Sequence, residues 1–128
     1  MLTLGPATRI FLAVGATDLR KSFAGLSDLV QHQFQADPLS GHLFVFTNRH
    51  RNRIKVLYFD GTGMWVCGKQ LARGNFAWPQ TATAETGARQ IFAEELAMLL
   101  SGMDLRQTQP RRWWRPRPNA AENAEKAK

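Results

Sequence analysis

Cysteine occurs once, at Cys67, which excludes an intramolecular disulfide and a cysteine-rich zinc site. Histidine is scarce as well, and His32, His42 and His50 show no metal-ligand spacing with each other or with a glutamate. No apolar run approaches the roughly 20 residues that span a bilayer. Met1–Val14 lacks the basic-then-apolar layout of a secretory signal. Gly61-Thr62-Gly63 has no following lysine and falls between two strand-like runs, so it does not read as a phosphate loop. Acidic residues are missing altogether from Asn48 to Phe59. These absences predict a cytoplasmic protein with no metal, no cofactor and no membrane partner.

What is present is positive charge on an ordinary globular background. The 128 residues carry 17 Lys and Arg against 10 Asp and Glu, a formal charge of +7, with a sequence pI near 10.5. Such a balance favours a polyanionic partner. Hydrophobic residues make up 44% of the chain, enough to bury a core at this length.

The apolar pattern predicts an α+β fold. Arg9–Val14 reads as a first strand. Leu19, Phe23, Leu26, Val30 and Phe34 then recur at helical spacing, which predicts a helix from Asp18 to Gln35 with Thr17 or Asp18 as its cap. Asp37-Pro38-Leu39-Ser40-Gly41 ends it. His42–Thr47, Ile54–Phe59 and Met64–Cys67 are rich in β-branched and aromatic residues and are separated by turn signals, so they form an antiparallel meander. Lys69–Arg73 extends the fourth strand, and Asn75–Trp78 supplies a short fifth. Ala88–Phe92 leads into a second helix near Ala93–Ser101, with Phe92, Leu96, Leu99 and Met103 toward the core and Gly102 at its end. The expected architecture is a mostly antiparallel sheet of about five strands with both helices on one face. Residues 1–106 are expected to form this domain, 107–118 a basic aromatic arm and 119–128 a disordered tail.

Two segments stand out as candidate nucleic-acid contacts. Arg49, Arg51, Arg53 and Lys55 alternate along the tip of a β-hairpin, and Lys69 and Arg73 extend the cationic set on the next strand. Like charges this close repel one another, which suits phosphates better than the free protein. A β-ribbon can enter the major groove, about 12 Å wide, or straddle backbone phosphates. The arm pairs Arg111, Arg112 and Arg115 with Trp113 and Trp114, combining phosphate neutralisation with base stacking. Arg20 and Lys21, placed in the first turn of the expected helix, form a third candidate. The plain alternatives are solubilising arginines at the tip, tryptophans folded back on the sheet, and neutralisation of Arg20 and Lys21 by Asp18 or Asp28.

Five blocks in order resemble a known family. They are Thr17–Phe23, Asp37–Phe46, Arg53–Gly61, Leu71–Pro79 and Leu96–Asp104. The chain is similar to the small accessory protein TnpB of bacterial insertion sequences of the IS-sixty-six group. The resemblance implies a role in DNA transposition beside a separate, larger transposase that carries the catalytic acids. It lends no support to the activity of the unrelated, much longer RNA-guided nuclease that shares the name.

An enzyme reading finds little in the residues themselves. Asp18, Asp60 and Asp104 suggest a three-carboxylate metal site. Each has a simpler role: Asp18 as a helix cap, Asp60 in an Asp-Gly turn and Asp104 after a helix-ending glycine. Cys67 reads as a small core residue. The residues and the resemblance together predict a non-catalytic accessory factor that binds DNA and works with a transposase. A protein-interaction module without DNA contact and an RNA-binding regulator are the alternatives.

Overall fold

The computed structural model describes residues 7–82 and 86–102. Within them the order is β1 (Ile10–Ala13), α1 (Phe23–His32), β2 (Leu43–Thr47), β3 (Arg53–Phe59), β4 (Met64–Gln70), β5 (Ala88–Ile91) and α2 (Ala93–Leu100). The strands form one sheet in the order β4-β3-β2-β1-β5. β2, β3 and β4 are the expected antiparallel meander, β1 runs parallel to β2, and β5 is antiparallel to β1. The α+β class and the five-stranded, mostly antiparallel sheet are as the sequence predicts.

β2 is buried along its whole length. Alternate side chains of a strand point to opposite faces, so a strand buried at every position demands cover on both. Phe44 and Phe46 meet Leu26, Val30 and Phe34 from α1 and its exit. Leu43 and Val45 pack with Leu96 and Leu99 of α2 and with Phe76 and Trp78. The helices therefore lie on opposite faces, not on one. Each fully buried side chain of this size contributes roughly 1.5–3 kcal/mol.

The first helix is shorter than its apolar spacing suggests. The Asp18 carboxylate accepts the Arg20 backbone N–H (3.0 Å), and Lys21 N–H returns to the Asp18 carbonyl (3.2 Å). These bonds stabilise a turn in competition with helix. Leu19 is buried from that turn, whereas Phe23 is 49% exposed, so the predicted five-residue face is interrupted. Arg20 and Lys21 thus precede α1 instead of occupying its first turn. At the other end Gln35 takes a left-handed conformation (φ 54°), and Ala36 N–H reaches the Val30 carbonyl.

Two further expectations change. Asn75–Trp78 is not a strand; its Phe76 and Trp78 are buried cover for the sheet. The fifth strand is Ala88–Ile91. Phe92 is 73% exposed, and α2 packs through Leu96 and Leu99. The Phe92 N–H instead donates to the Glu95 carboxylate (2.8 Å) at the start of α2. Gly102 does end the helix, with φ 86° and its N–H on the Leu99 carbonyl. Met103 and Asp104 lie outside the described residues, as do the arm 107–118 and the tail 119–128.

The β3–β4 turn is organised by Asp60. Its carboxylate accepts the Thr62 and Gly63 N–H groups, the Thr62 hydroxyl and the Trp65 indole N–H, all at 2.8–2.9 Å. Gly61 supplies the positive φ of 102°. Hydrogen bonds to the ionised form, led by the Thr62 backbone N–H and the Trp65 indole, hold this carboxyl well below the usual range. A depressed folded-state pKa stabilises the protein above the unfolded value of about 3.9, and that contribution is lost as pH falls below it. Asp60→Ala should therefore lower the melting temperature at neutral pH. The gap from wild type should narrow in melts taken toward about pH 2.

Candidate nucleic-acid interface

The strand register decides where the charges lie. Arg53 pairs with Gln70 at one end of the β3–β4 ladder, and Phe59 pairs with Met64 at the other. Thr17 N–H donates to the Thr47 carbonyl (2.7 Å), which brings the loop after β1 to the Arg53 end. Lys69 Nζ donates to the Leu100 carbonyl (2.6 Å), so α2 also finishes there. Arg20, Lys21, Arg49, Arg51, Arg53, Lys55, Lys69 and Arg73 consequently gather at one end of the sheet. Asp37, Asp60, Glu94 and Glu95 flank its opposite end. Asp18 is the acid among the loops at the cationic end, and Asp28 lies on the exposed side of α1.

The hairpin tip does not project as a free ribbon. Asn48 Oδ1 accepts the Asn52 and Arg53 N–H groups (both 3.1 Å), while Asn48 Nδ2 donates to Asn52 Oδ1 (2.7 Å). The neighbouring segment is laced to the tip: Leu71 N–H to the Asn52 carbonyl (2.9 Å), Phe76 N–H to the Arg51 carbonyl (2.6 Å), and the Asn75 side-chain amide to the His50 carbonyl. Thr47 Oγ1 donates to the Arg53 carbonyl (2.9 Å), which satisfies a fully buried hydroxyl.

The cations differ in what their head groups do. Arg51 takes a left-handed backbone conformation (φ 56°), which breaks the alternation expected from strand geometry. Its half-buried side chain turns inward, donating to the Val14 carbonyl (3.3 Å) with the guanidinium carbon 5.9 Å from the Trp78 ring centre. Trp78 in turn donates its indole N–H to the Ala13 carbonyl (2.9 Å). Arg51 is a clasp. Arg20 forms an ion pair with Asp18 (2.8 Å); its hydrogen bonds hold the Asp18 carboxyl well below the usual range, and the pairing raises the Arg20 pKa. Lys55 Nζ donates to the Lys21 carbonyl (3.0 Å), which leaves two of its three donors free. The side chains of Arg49, Arg53 and Arg73 are exposed and make no hydrogen bond or ion pair with another described residue. Arg111, Arg112, Trp113, Trp114 and Arg115 lie outside the described residues.

No group of three or more His, Cys, Asp or Glu among the described residues is placed to hold a metal ion. Asp60 is fully engaged in its turn and Asp18 with Arg20. Cys67 is partly buried against the core. No helix among the described residues is long and apolar enough to cross a membrane.

Residues 8–110 match the family described as IS66 Orf2 like protein, TnpB of the IS66 group. The chain belongs to that family. It is a transposition-associated accessory protein by membership. Two relatives come from Sinorhizobium fredii (strain NBRC 101917 / NGR234). One, "Uncharacterized protein y4hO", is 42% identical over 116 residues, covering 91% of this chain and 96% of the relative. The other, "Uncharacterized protein y4jC", is 35% identical over 103 residues, covering 79% and 86%. No solved structure matches the chain.

Sequence reasoning treated the tip arginines as equivalent and passed over Asn48, Asn52 and Trp78. The Asn48–Asn52 pair flanking the tip was the available signal, because asparagine side chains stabilise turns through local hydrogen bonds. The partners of Arg51 are remote in sequence and left no local trace. Arg51→Ala should destabilise the fold by about 1 kcal/mol, through loss of the ring contact and the carbonyl bond. Arg49→Ala should stay within about 0.5 kcal/mol of wild type, as surface changes do. Chemical denaturation of the two variants checks the contrast.

Proposed function

We propose that this protein is a non-catalytic, DNA-binding accessory factor of transposition. It holds element-end or target DNA on the cationic end of its sheet, and it assists a separate transposase that supplies the chemistry. One observation carries the reading: eight of the described cations lie at one end of the strands, where Asp18 is the one acid among the connecting loops, while Asp37, Asp60, Glu94 and Glu95 lie toward the other end. A surface designed only for solubility intersperses both signs. Family membership supports the transposition context.

The contact mode follows from the tip. Insertion of a β-ribbon into the major groove needs a hairpin that stands clear of its sheet. Here the tip is tied to the Val14 loop and to residues 71–76 on its flanks. Arg49, Arg53, Lys55 and Arg73 act on backbone phosphates, which fix position without reading sequence. The chain leaves α2 beside Lys69, at this same end. Arg111, Arg112, Trp113, Trp114 and Arg115 add phosphate neutralisation and base stacking to this contact.

Phosphate neutralisation releases counterions, about 0.9 per contact on duplex DNA. Four contacts from the folded end plus two from the arm correspond to a log–log salt slope of about −5. Replacing Arg49, Arg53 and Arg73 together with alanine should shrink the slope by about 2.7 while leaving the melting temperature near wild type. Fluorescence anisotropy with duplex DNA across a salt series reads both quantities. A flat salt dependence refutes the mechanism, and a strong preference for single-stranded RNA over duplex DNA replaces it with the RNA reading. Absence of any nucleic-acid binding favours docking on the transposase alone.

A further inference from the structure

A groove of about 260 Å³ opens on the α1 face of the sheet, beside the cationic end. Leu19, Arg53, Lys55, Gly68 and Gln70 line it, and Ile54 and Lys69 complete the lining. Its existence depends on a missing side chain. Gly68 pairs directly with Lys55 across the β3–β4 ladder. Its alternate neighbours Met64 and Val66 pack on the α1 side, so a side chain at position 68 would point into this space.

Glycine is disfavoured inside a strand, because it adds backbone entropy to the unfolded chain and packs nothing. Backbone conformation does not demand it here, since Gly68 is not among the glycines with positive φ. Sterics do not demand it either. A Cβ built at Gly68 would meet the Ile54 carbonyl at 3.6 Å and Lys55 Cγ at 4.0 Å, which is ordinary contact. A glycine that neither folding nor packing requires marks a place where something else approaches the backbone closely.

The lining defines the visitor. Two cations, Arg53 and Lys55, face the groove, the amide of Gln70 adds a donor, and none of the lining residues is acidic. Leu19 forms an apolar wall, which weakens hydration of the cations and strengthens their pull on an anion. A guanidinium fork beside an ammonium suits the tetrahedral oxygens of a phosphate.

We propose that the groove opened by Gly68 is a seat for one backbone phosphate of DNA, held between Arg53 and Lys55. The seat rests on the reading of this end as a DNA surface and names the point of close approach within it. It turns a diffuse electrostatic attraction into a contact with defined geometry.

The test uses the full chain and Gly68→Val, which fills the groove without changing charge, with Gly68→Ala as a milder second variant. Both should melt at or above the wild-type temperature. Gly68→Val should bind duplex DNA about tenfold more weakly, the loss of one charge-assisted contact, with a salt slope smaller in magnitude by about 0.9. In NMR titrations with inorganic pyrophosphate, the backbone amides of Arg53, Lys55 and Gly68 should shift in wild type, and those of Arg53 and Lys55 should stay put in Gly68→Val. Equal DNA affinity and slope in folded wild type and Gly68→Val overturn the seat while leaving the wider DNA reading intact. Equal shifts with glutamate in place of pyrophosphate overturn the phosphate assignment. Wild type that binds no duplex yet shows the pyrophosphate response overturns the wider reading and the assignment of the seat to DNA, leaving an anion site only; no response to duplex or pyrophosphate overturns both.

Discussion

Withdrawal of all five β2 residues from water is the constraint on which the rest of this molecule depends. A strand apolar on both faces cannot sit at a sheet edge or face solvent, and the chain answers by covering it twice. Phe44 and Phe46 take α1, whereas Leu43 and Val45 take α2 with Phe76 and Trp78. Each cover must arrive from a different part of the chain. That requirement sets the connections on either side of β2 and brings the loop after β1, the β2–β3 tip, the 71–78 segment and the end of α2 to one end of the sheet.

Charge follows from that arrangement. Cations carried by four separate stretches become neighbours because the ladders hold them at a common level, and Asp37, Asp60, Glu94 and Glu95 remain around the opposite turns. Repulsion among the clustered cations is limited by engaging some of them internally. Arg20 is paired with Asp18, Arg51 lies over Trp78, and Lys69 is bonded to the last turn of α2. Arg49, Arg53 and Arg73 stay exposed, with no hydrogen bond or ion pair to another described residue. Positive potential is thus retained where it faces solvent, and the engaged cations hold the surrounding loops in place.

At the tip, folding sets the limits of the proposed contact. Its asparagines and Arg51 make a rigid turn out of a polar break, and that rigidity removes the freedom a groove-penetrating ribbon needs. Preorganised cations bind phosphates with less loss of side-chain entropy. The strained backbone of Arg51, on the order of 1–2 kcal/mol for a left-handed non-glycine residue, is offset by contacts from both flanks.

Much of this was legible from local pattern. The hairpin runs around Asn48–Asn52 and Asp60–Gly63, the second helix at Ala93, its glycine stop at Gly102 and the α+β class all follow from periodicity and turn chemistry, which act between near neighbours. The five sequence blocks pointed to the family. Tertiary contacts decided the remainder. Phe23 fits the helical period yet is exposed, because Asp18 captures Arg20 and shortens α1. Phe76 and Trp78 look like a strand and serve as a cover, since β1 already pairs with Ala88–Ile91. The division of the helices between two faces, the inward turn of Arg51 and the groove at Gly68 arise from groups distant in sequence. Hydrophobic spacing and turn propensity are encoded within a few residues and can be read there. Which cation stays free depends on carbonyls and rings that only the folded chain brings within reach.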